Sequence, residues 1–201
     1  GLSDISILSF YANKLVTTGE GGMVLTSNKK FEERARSLRN LCFKKEKRFF
    51  HTEIGHNYRM SNIQAAIGLA QLEKLDIFVN RKREMAKLYN MQLSKLPLQL
   101  PIEKKWAKNI YWMYGVVLNE ECGITRSNFM KQLEKKGVES RPFFVGMHEQ
   151  PVFRDMGLFL GESYPVCECI SKNGLYLPSG QAITNNQIQY MMNKIRRLNQ
   201  E

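Results

Sequence analysis

The chain has 201 residues and a formal net charge of +11, with 43% hydrophobic and 24% charged residues, the balance of a soluble globular protein with room for one large domain or two small ones. No apolar run approaches the roughly 18 residues that would read as a membrane span, and Gly1-Leu2-Ser3-Asp4 lacks the charged-then-apolar pattern of a secretion signal. Without an initiator Met, and opening directly on a strand-like segment, the chain is expected to be a piece of a longer protein.

In chain order, the short apolar run at residues 5–10 predicts a buried strand. Leu15 to Thr18 and Met23 to Thr26 flank Gly19-Glu20-Gly21-Gly22, which predicts a strand, a glycine turn and a second strand. Residues 28–41 read as a helix with Phe31, Ala35 and Leu38 on one face, followed by a loop rich in Lys, Phe and His up to Met60. Ser61 and Gln64, three apart, predict a capping box. Ile63, Ala66, Ile67, Ala70, Leu72 and Leu75 then recur at helical spacing. The pattern persists to Leu93, before Pro97, as one long helix or two joined near Asp76 to Asn80.

The remainder predicts a small α+β unit. Tyr111 to Leu118 is strand-like. A helix starts at Thr125 or Ser127 and stops at Gly137. Val138 to Phe144 is a strand interrupted by Pro142, and residues 145–165 are loop. Val166 to Asn173 is helical, and residues 174–178 are extended. Thr184 with Gln187 caps a last helix whose core face carries Ile188, Met191, Met192 and Ile195. Tyr111, Trp112 and Tyr114 read as core rather than as a stacking platform.

Cys42, Cys122, Cys167 and Cys169 lack the paired spacing of a zinc site, so no metal is expected, and scattered thiols suit a reducing cytoplasm. Three basic runs stand out: residues 44–48, 81–83 and 194–197. They read as solvated helix faces and a loop rather than as a nucleic-acid surface, and a positive field suits an anionic substrate.

The segment that carries chemistry is Ser9-Phe10-Tyr11-Ala12-Asn13-Lys14, followed by Leu15-Val16-Thr17-Thr18 and the glycine turn. A lysine directly after an apolar strand is costly while charged. Burial favours its neutral amine, the nucleophile that condenses with an aldehyde. Ser9, at a strand end, places a hydroxyl where a phosphate could meet it. On pattern alone, the same residues also describe an exposed lysine beside an ordinary hairpin.

The residues together resemble the DegT-type family of sugar aminotransferases, which depend on pyridoxal phosphate (PLP). Its hallmarks are a Ser-Phe segment, a lysine five residues after the Ser, and Gly-Glu-Gly-Gly. Gly55-His56-Asn57-Tyr58-Arg59-Met60-Ser61-Asn62 matches a second signature. Tyr111-Trp112-Met113-Tyr114, Arg141-Pro142-Phe143-Phe144, Met147-His148-Glu149-Gln150-Pro151 and Gly174-Leu175-Tyr176-Leu177-Pro178 resemble the perosamine-synthase branch, so the likeness covers essentially the whole chain.

The resemblance implies that Lys14 condenses with the aldehyde of PLP and shuttles the proton during transamination. Ser9 would bind the cofactor phosphate. Asn57 would reach the phosphate of a neighbouring subunit's cofactor, with Arg59 as the alternative. Arg141 and His148 fall in the loop resembling the sugar-nucleotide side. From the residues themselves, Arg141 could equally pair with a surface carboxylate and His148 cap a turn, while Glu20 reads as a structural partner in the glycine turn. The carboxylate that faces the pyridinium nitrogen, the ring-stacking aromatic and the glycine-led phosphate segment lie upstream of the lysine in the family. No residue here takes those roles, so the piece alone is expected to be inactive.

The implied fold is α/β, PLP-dependent transferase fold type I. Residues 1–78 would end the large PLP-binding domain, and residues 79–201 would form a linking helix and a small carboxy-terminal domain. The implied protein is a cytoplasmic homodimer with shared sites. It would use glutamate to aminate a nucleotide-linked 4-keto-6-deoxyhexose, GDP-linked by preference, for surface polysaccharide, with no nucleic-acid or membrane partner. Two rivals stand beside it. One is a sugar dehydratase on the same scaffold, whose members replace the lysine with histidine, against Lys14. The other is a non-catalytic basic interaction protein.

Overall fold

The structure, a computed structural model, describes residues 3–198. The chain divides into two compact units, Gly1–Ile77 and Phe78–Glu201.

In the first unit, β1 (Ser6–Ser9) and β2 (Gly22–Leu25) pair antiparallel from Ser6↔Leu25 to Ser9↔Gly22. Helix α1 (Lys29–Arg39) starts where the Asn28 side chain accepts hydrogen bonds from the amides of Lys30 and Phe31. Helix α2 (Asn62–Leu72) carries the expected Ser61–Gln64 capping box. Two expectations fail here. Residues 5–10 are not a buried strand: every residue of β1 is exposed, Ile7 at 78% and Leu8 at 46%. Residues 15–18 are not a strand either; the whole of 10–21 is the connection between β1 and β2.

The helical pattern from Ser61 to Leu93 is broken at Glu73–Lys74, slightly before the expected joint, where the Lys74 amide donates to Gln71 O in a turn. Helix α3 (Leu75–Leu93) then leads into the second unit. There β3 (Leu98–Gln99), β4 (Tyr114–Leu118), β5 (Arg141–Pro142) and β6 (Gly174–Leu177) form an antiparallel sheet in the order β3-β4-β6-β5. Helices α4 (Arg126–Lys135), α5 (Pro151–Asp155), α6 (Pro165–Asn173) and α7 (Asn185–Leu198) complete it. The expected caps are present: Thr125 accepts from the Asn128 amide, and Thr184 and Gln187 bond reciprocally at the start of α7.

One core binds this unit. Met85, Tyr89 and Leu93 of α3 pack with Tyr114 and Val116 of β4, Leu133 of α4, Leu175 of β6 and the anticipated α7 stripe of Ile188, Met191, Met192 and Ile195. Each such side chain removed from water contributes on the order of 2 kcal/mol. Tyr111 and Tyr114 are buried as expected, whereas Trp112 is only half-buried. Strand β5 is shorter than the sequence pattern suggested. Beyond Pro142 the chain gives up strand geometry to lay the Phe143 ring across two glycines; a Cβ on Gly115 or Gly174 would sit 2.5 or 2.3 Å from that ring.

The middle basic run departs from its expected solvated state. Arg81 donates to Asn185 and to Ile183 O, Arg83 pairs with Glu103 at 2.6 Å, and Lys82 is only 3% exposed. The Lys82 ammonium donates to Trp112 O at 3.0 Å and to Ser179 O. Burial pulls its pKa down to about 8. Among the described residues no helix is long and apolar enough to cross a membrane, and no group of three or more His, Cys, Asp or Glu side chains is arranged to hold a metal.

Candidate functional site

Lys14 sits on a loop whose two ends are tied together. Phe10 O accepts from the Thr18 amide at 2.9 Å and from Thr17 Oγ1 at 3.0 Å, while the Phe10 amide donates to Gly21 O at 2.9 Å. Inside that closure the Lys14 amide donates to Tyr11 O at 2.9 Å, turning the chain so that Lys14 is half-buried at the loop's far side. Ser9 ends β1 at the loop's entrance, exposed, its hydroxyl accepting from the Tyr11 amide at 3.4 Å. The loop therefore presents an amine and a hydroxyl from one short, closed stretch of backbone.

Helix α2 explains why residues 15–18 decline to be a strand. The Gln71 carboxamide takes both backbone groups of Thr17: Oε1 accepts from its amide at 3.1 Å, and Nε2 donates to its carbonyl at 2.8 Å. These are the groups a neighbouring strand would have bonded. Gln64 Nε2 donates to Glu20 O at 3.0 Å, and Thr18 Oγ1 donates to the same carbonyl at 2.8 Å. Glu20 thus serves the turn through its backbone, in keeping with a structural role.

Gln64, Gly68 and Gln71 stand four and three residues apart, so they share a face of α2. Gly68 is what lets that face approach: a Cβ there would be 2.9 Å from Thr18 Cγ2. Gly21 has φ +152, and a Cβ on it would meet Thr18 Oγ1 at 2.4 Å. Reading the sequence for catalytic groups missed Thr17, Gln64, Gly68 and Gln71. The available signal was two glutamines seven apart in a helix that, after Asn62, is otherwise made of Ala, Gly, Ile and Leu.

Asn57 and Arg59 are held against the end of α1. The Leu41 amide donates to His56 O at 3.0 Å, His56 to Leu38 O at 2.7 Å and Tyr58 to Arg39 O at 3.1 Å, and Asn57 bridges Asn40. A Cβ on Gly55 would fall 2.5 Å from the backbone of Leu41 and Cys42, so only glycine permits this docking. Arg59 donates to the Asn40 side chain. Both candidates are exposed. Their nearest tie to the lysine loop is Met60, whose Cε lies 3.0 Å from the position of a Cβ on Gly21.

Arg141 and His148 belong to the second unit. Arg141 is exposed and pairs with Glu139 at 3.3 Å on the surface. His148 is buried, 5% exposed, its Nε2 3.2 Å from Glu168 Oε1 and its ring 4.9 Å from that of Tyr164. The same oxygen accepts from the Tyr164 amide at 2.7 Å and the Ser163 hydroxyl at 3.0 Å. Those donors, the amide foremost, hold the Glu168 carboxyl below its ordinary range. His148 is thus fixed by a carboxylate twenty residues downstream, a pairing no local pattern displays.

The residues present fit pyridoxal phosphate. A half-buried primary amine suits its aldehyde, a strand-end hydroxyl suits its phosphate, and the turn beside them is crowded enough to exclude a Cβ at Gly21.

Comparison with known proteins bears on this assembly. Residues 1–196 match the model of the DegT/DnrJ/EryC1/StrS aminotransferase family. A GDP-perosamine synthase of Vibrio cholerae is 34% identical across 96% of this chain and 52% of its own length. Another from Escherichia coli O157:H7 is 37% identical across 96% of this chain and 51% of its own. The crystal structure of the aminotransferase TlmJ from Streptoalloteichus hindustanus superimposes with a TM-score of 0.85 at 27% identity, covering 97% of this chain and 52% of that one. The chain therefore spans about half the length of the relatives it matches, and over that span its fold is that of the α/β, fold type I transferases.

Proposed function

The chain belongs to the DegT/DnrJ/EryC1/StrS aminotransferase family, whose members use pyridoxal phosphate, and from that premise we propose that Lys14 is the amine that holds the cofactor. The observation that carries the proposal is the closed loop of residues 10–18, fastened at Phe10 O and again by Gln71, with a half-buried lysine at its far side. When bound, the cofactor supplies an electron sink for the carbon that gains or loses the amine.

The rest falls to protein groups. Lys14 Nζ would hold the cofactor by its aldehyde and would take and return the proton on the substrate carbon as a general base and acid. Ser9 Oγ would donate to the phosphate. Asn57, with Arg59 as the alternative donor, would serve the phosphate of a second subunit's cofactor in a homodimer with shared sites. The tie between Gln71 and Thr17 holds the loop so that Nζ need not search for its partner, which is the orientational gain that lowers a barrier.

The substrate is a nucleotide-linked 4-keto-6-deoxyhexose, GDP-linked, a choice supported by two relatives bearing the name GDP-perosamine synthase, and glutamate is the proposed amine donor. Arg141, exposed beside the aromatic stretch Phe143-Phe144, is the cation offered to the diphosphate, and His148 shapes its loop from within. Residues 1–78 act as part of the PLP-binding domain and 79–201 as the carboxy-terminal domain. A segment equivalent to the other half of the relatives supplies the carboxylate for the pyridinium nitrogen, so the 201 residues alone do not transaminate.

The test is turnover by the protein as its own cells make it, with glutamate and either GDP- or TDP-linked 4-keto-6-deoxyhexose. The GDP substrate should give the amino sugar, and Lys14→Arg should remove turnover. Turnover persisting in Lys14→Arg contradicts the assignment of Lys14, while amination of the TDP sugar alone contradicts only the choice of nucleotide.

A further inference from the structure

Asn57 and Arg59 are joined in the first unit by a third polar side chain, that of Asn40. Half-buried, Asn40 closes helix α1, and Asn57 lies opposite it in an antiparallel bridge. The hydrogen bonds on either side of that bridge run from the Leu41 amide to His56 O and from the Tyr58 amide to Arg39 O. Asn40 and Asn57 are therefore a non-hydrogen-bonded pair, the kind whose side chains lie closest and on one face. Arg59, two residues on, reaches the same face, where its guanidinium donates to Asn40 Oδ1. His56 and Tyr58 alternate with them, their rings stacked on each other at 4.7 Å.

Backbone strain marks the same place. Leu41 and Cys42 both sit in the left-handed region, at φ 59 and 51, which a residue with a Cβ keeps only where its surroundings hold it. Here they do: the Cys42 amide donates to Ser37 O at 2.9 Å, and His51 Nδ1 lies 2.9 Å from Leu41 O. The carbonyls of Leu38 and Arg39, which a helix end leaves open, are taken by the amides of His56 and Tyr58. Negative charge is spoken for as well. The one carboxylate among residues 51–60, Glu53, is paired with Arg34 at 2.6 Å and Lys44 at 3.7 Å. An exposed carboxamide beside a tethered guanidinium, with no free carboxylate in its segment, suits an anion.

We propose that Asn40 is a positioning residue: by holding the Arg59 guanidinium beside the Asn57 carboxamide, it makes the two one phosphate site in place of two alternative donors. The inference rests on the reading that this segment serves the phosphate of a second subunit's cofactor. A guanidinium has donors only, so Asn40 turns its oxygen to Arg59, and Arg59 keeps N–H groups for the phosphate. A free surface arginine loses side-chain freedom when it meets its ligand, and Asn40 takes that loss beforehand.

The experiment takes the protein as its own cells make it, freed of cofactor, and compares its affinity for PLP with that for pyridoxal, which carries the aldehyde without the phosphate. Asn40→Ala should weaken PLP binding about tenfold, as for one hydrogen bond to a charged group, and leave pyridoxal within about twofold. Asn40→Asp still accepts from Arg59 but sets a carboxylate beside the phosphate, so it should weaken PLP at least as much. Because Asn40 acts through Arg59, Asn40→Ala should add little to the loss in Arg59→Ala. An unchanged PLP affinity in Asn40→Ala, a loss shared equally by PLP and pyridoxal, or losses that simply add with Arg59→Ala would each overturn the role of Asn40. If Asn57→Ala and Arg59→Ala both leave the preference for PLP over pyridoxal unaltered, the phosphate reading itself fails. If either lowers that preference and Asn40→Ala does not, only the positioning by Asn40 fails.

Discussion

The two units are held together by different forces. In the second, nineteen buried side chains form one apolar cluster drawn from α3, the sheet, α4 and α7. In the first, the only buried residues among those described are Thr18 and Cys42. Its strands carry no buried residue, and helix α2 exposes Ile63 at 75%, Leu69 at 60% and Leu72 at 56%. What shapes the first unit is polar: two glutamines, two threonines and the backbone groups they satisfy. Burial organises the second unit, whereas hydrogen bonds define the loop of the first. Since a hydrogen bond contributes about 1 kcal/mol net and a buried aliphatic side chain about twice that, the second unit should be the more stable.

The largest effect should come from Leu175→Ala in β6, a fully buried side chain. It should cost about 2–5 kcal/mol, measured by urea unfolding of the second unit. Ile7→Ala in β1 should change urea unfolding of the first unit by no more than about 0.5 kcal/mol, as for an exposed site. Equal losses would erase the distinction between the units.

Next is Gln71→Ala. Losing both ties to Thr17 should speed amide exchange across residues 11–18 by about tenfold, near 1–2 kcal/mol, and leave exchange in α7 unchanged. Exchange that speeds equally in both units would show that the polar ties are not local.

Lys82 gives a smaller, pH-dependent signature. Its folded pKa, about 8, lies below the ordinary 10.5. Between those values the unfolded chain holds a proton that the folded chain has released, so stability rises with pH across that window and is flat below it. Unfolding midpoints of the unaltered chain should climb from pH 8 to 10 relative to Lys82→Met, and parallel curves would contradict the shift.

The smallest effect on stability should be that of Lys14→Ala, within about 0.5 kcal/mol, because the loop around it is fastened at Phe10 and by Gln71.

Much of this was legible in the sequence where the cause is local. The capping boxes at Ser61 and Thr184 appear as expected, and so does the buried stripe of α7. Each depends on residues within one or two helical turns. The family itself was legible through resemblance, since the spacing of the segment around Ser9 and Lys14 travels with it. The failures are long-range. Residues 15–18 have strand composition, but Gln71, fifty-four positions from Thr17, takes their backbone partners. Strand β5 ends early because Phe143 finds two glycines on neighbouring strands. The union of His148 with Glu168 and the inward turn of Arg81-Lys82-Arg83 are likewise tertiary choices that periodicity does not encode. Burial of β1 was expected from composition and fails because composition reports what a strand would accept on its faces, not whether anything lies there.

Reduction with borohydride of the protein isolated from its own cells, followed by peptide mass mapping, tests the central assignment most directly. A pyridoxyl group fixed on the peptide containing Lys14, and absent from Lys14→Ala, is the result expected. A pyridoxyl group on another lysine, or none on a protein that carries the cofactor, would contradict it.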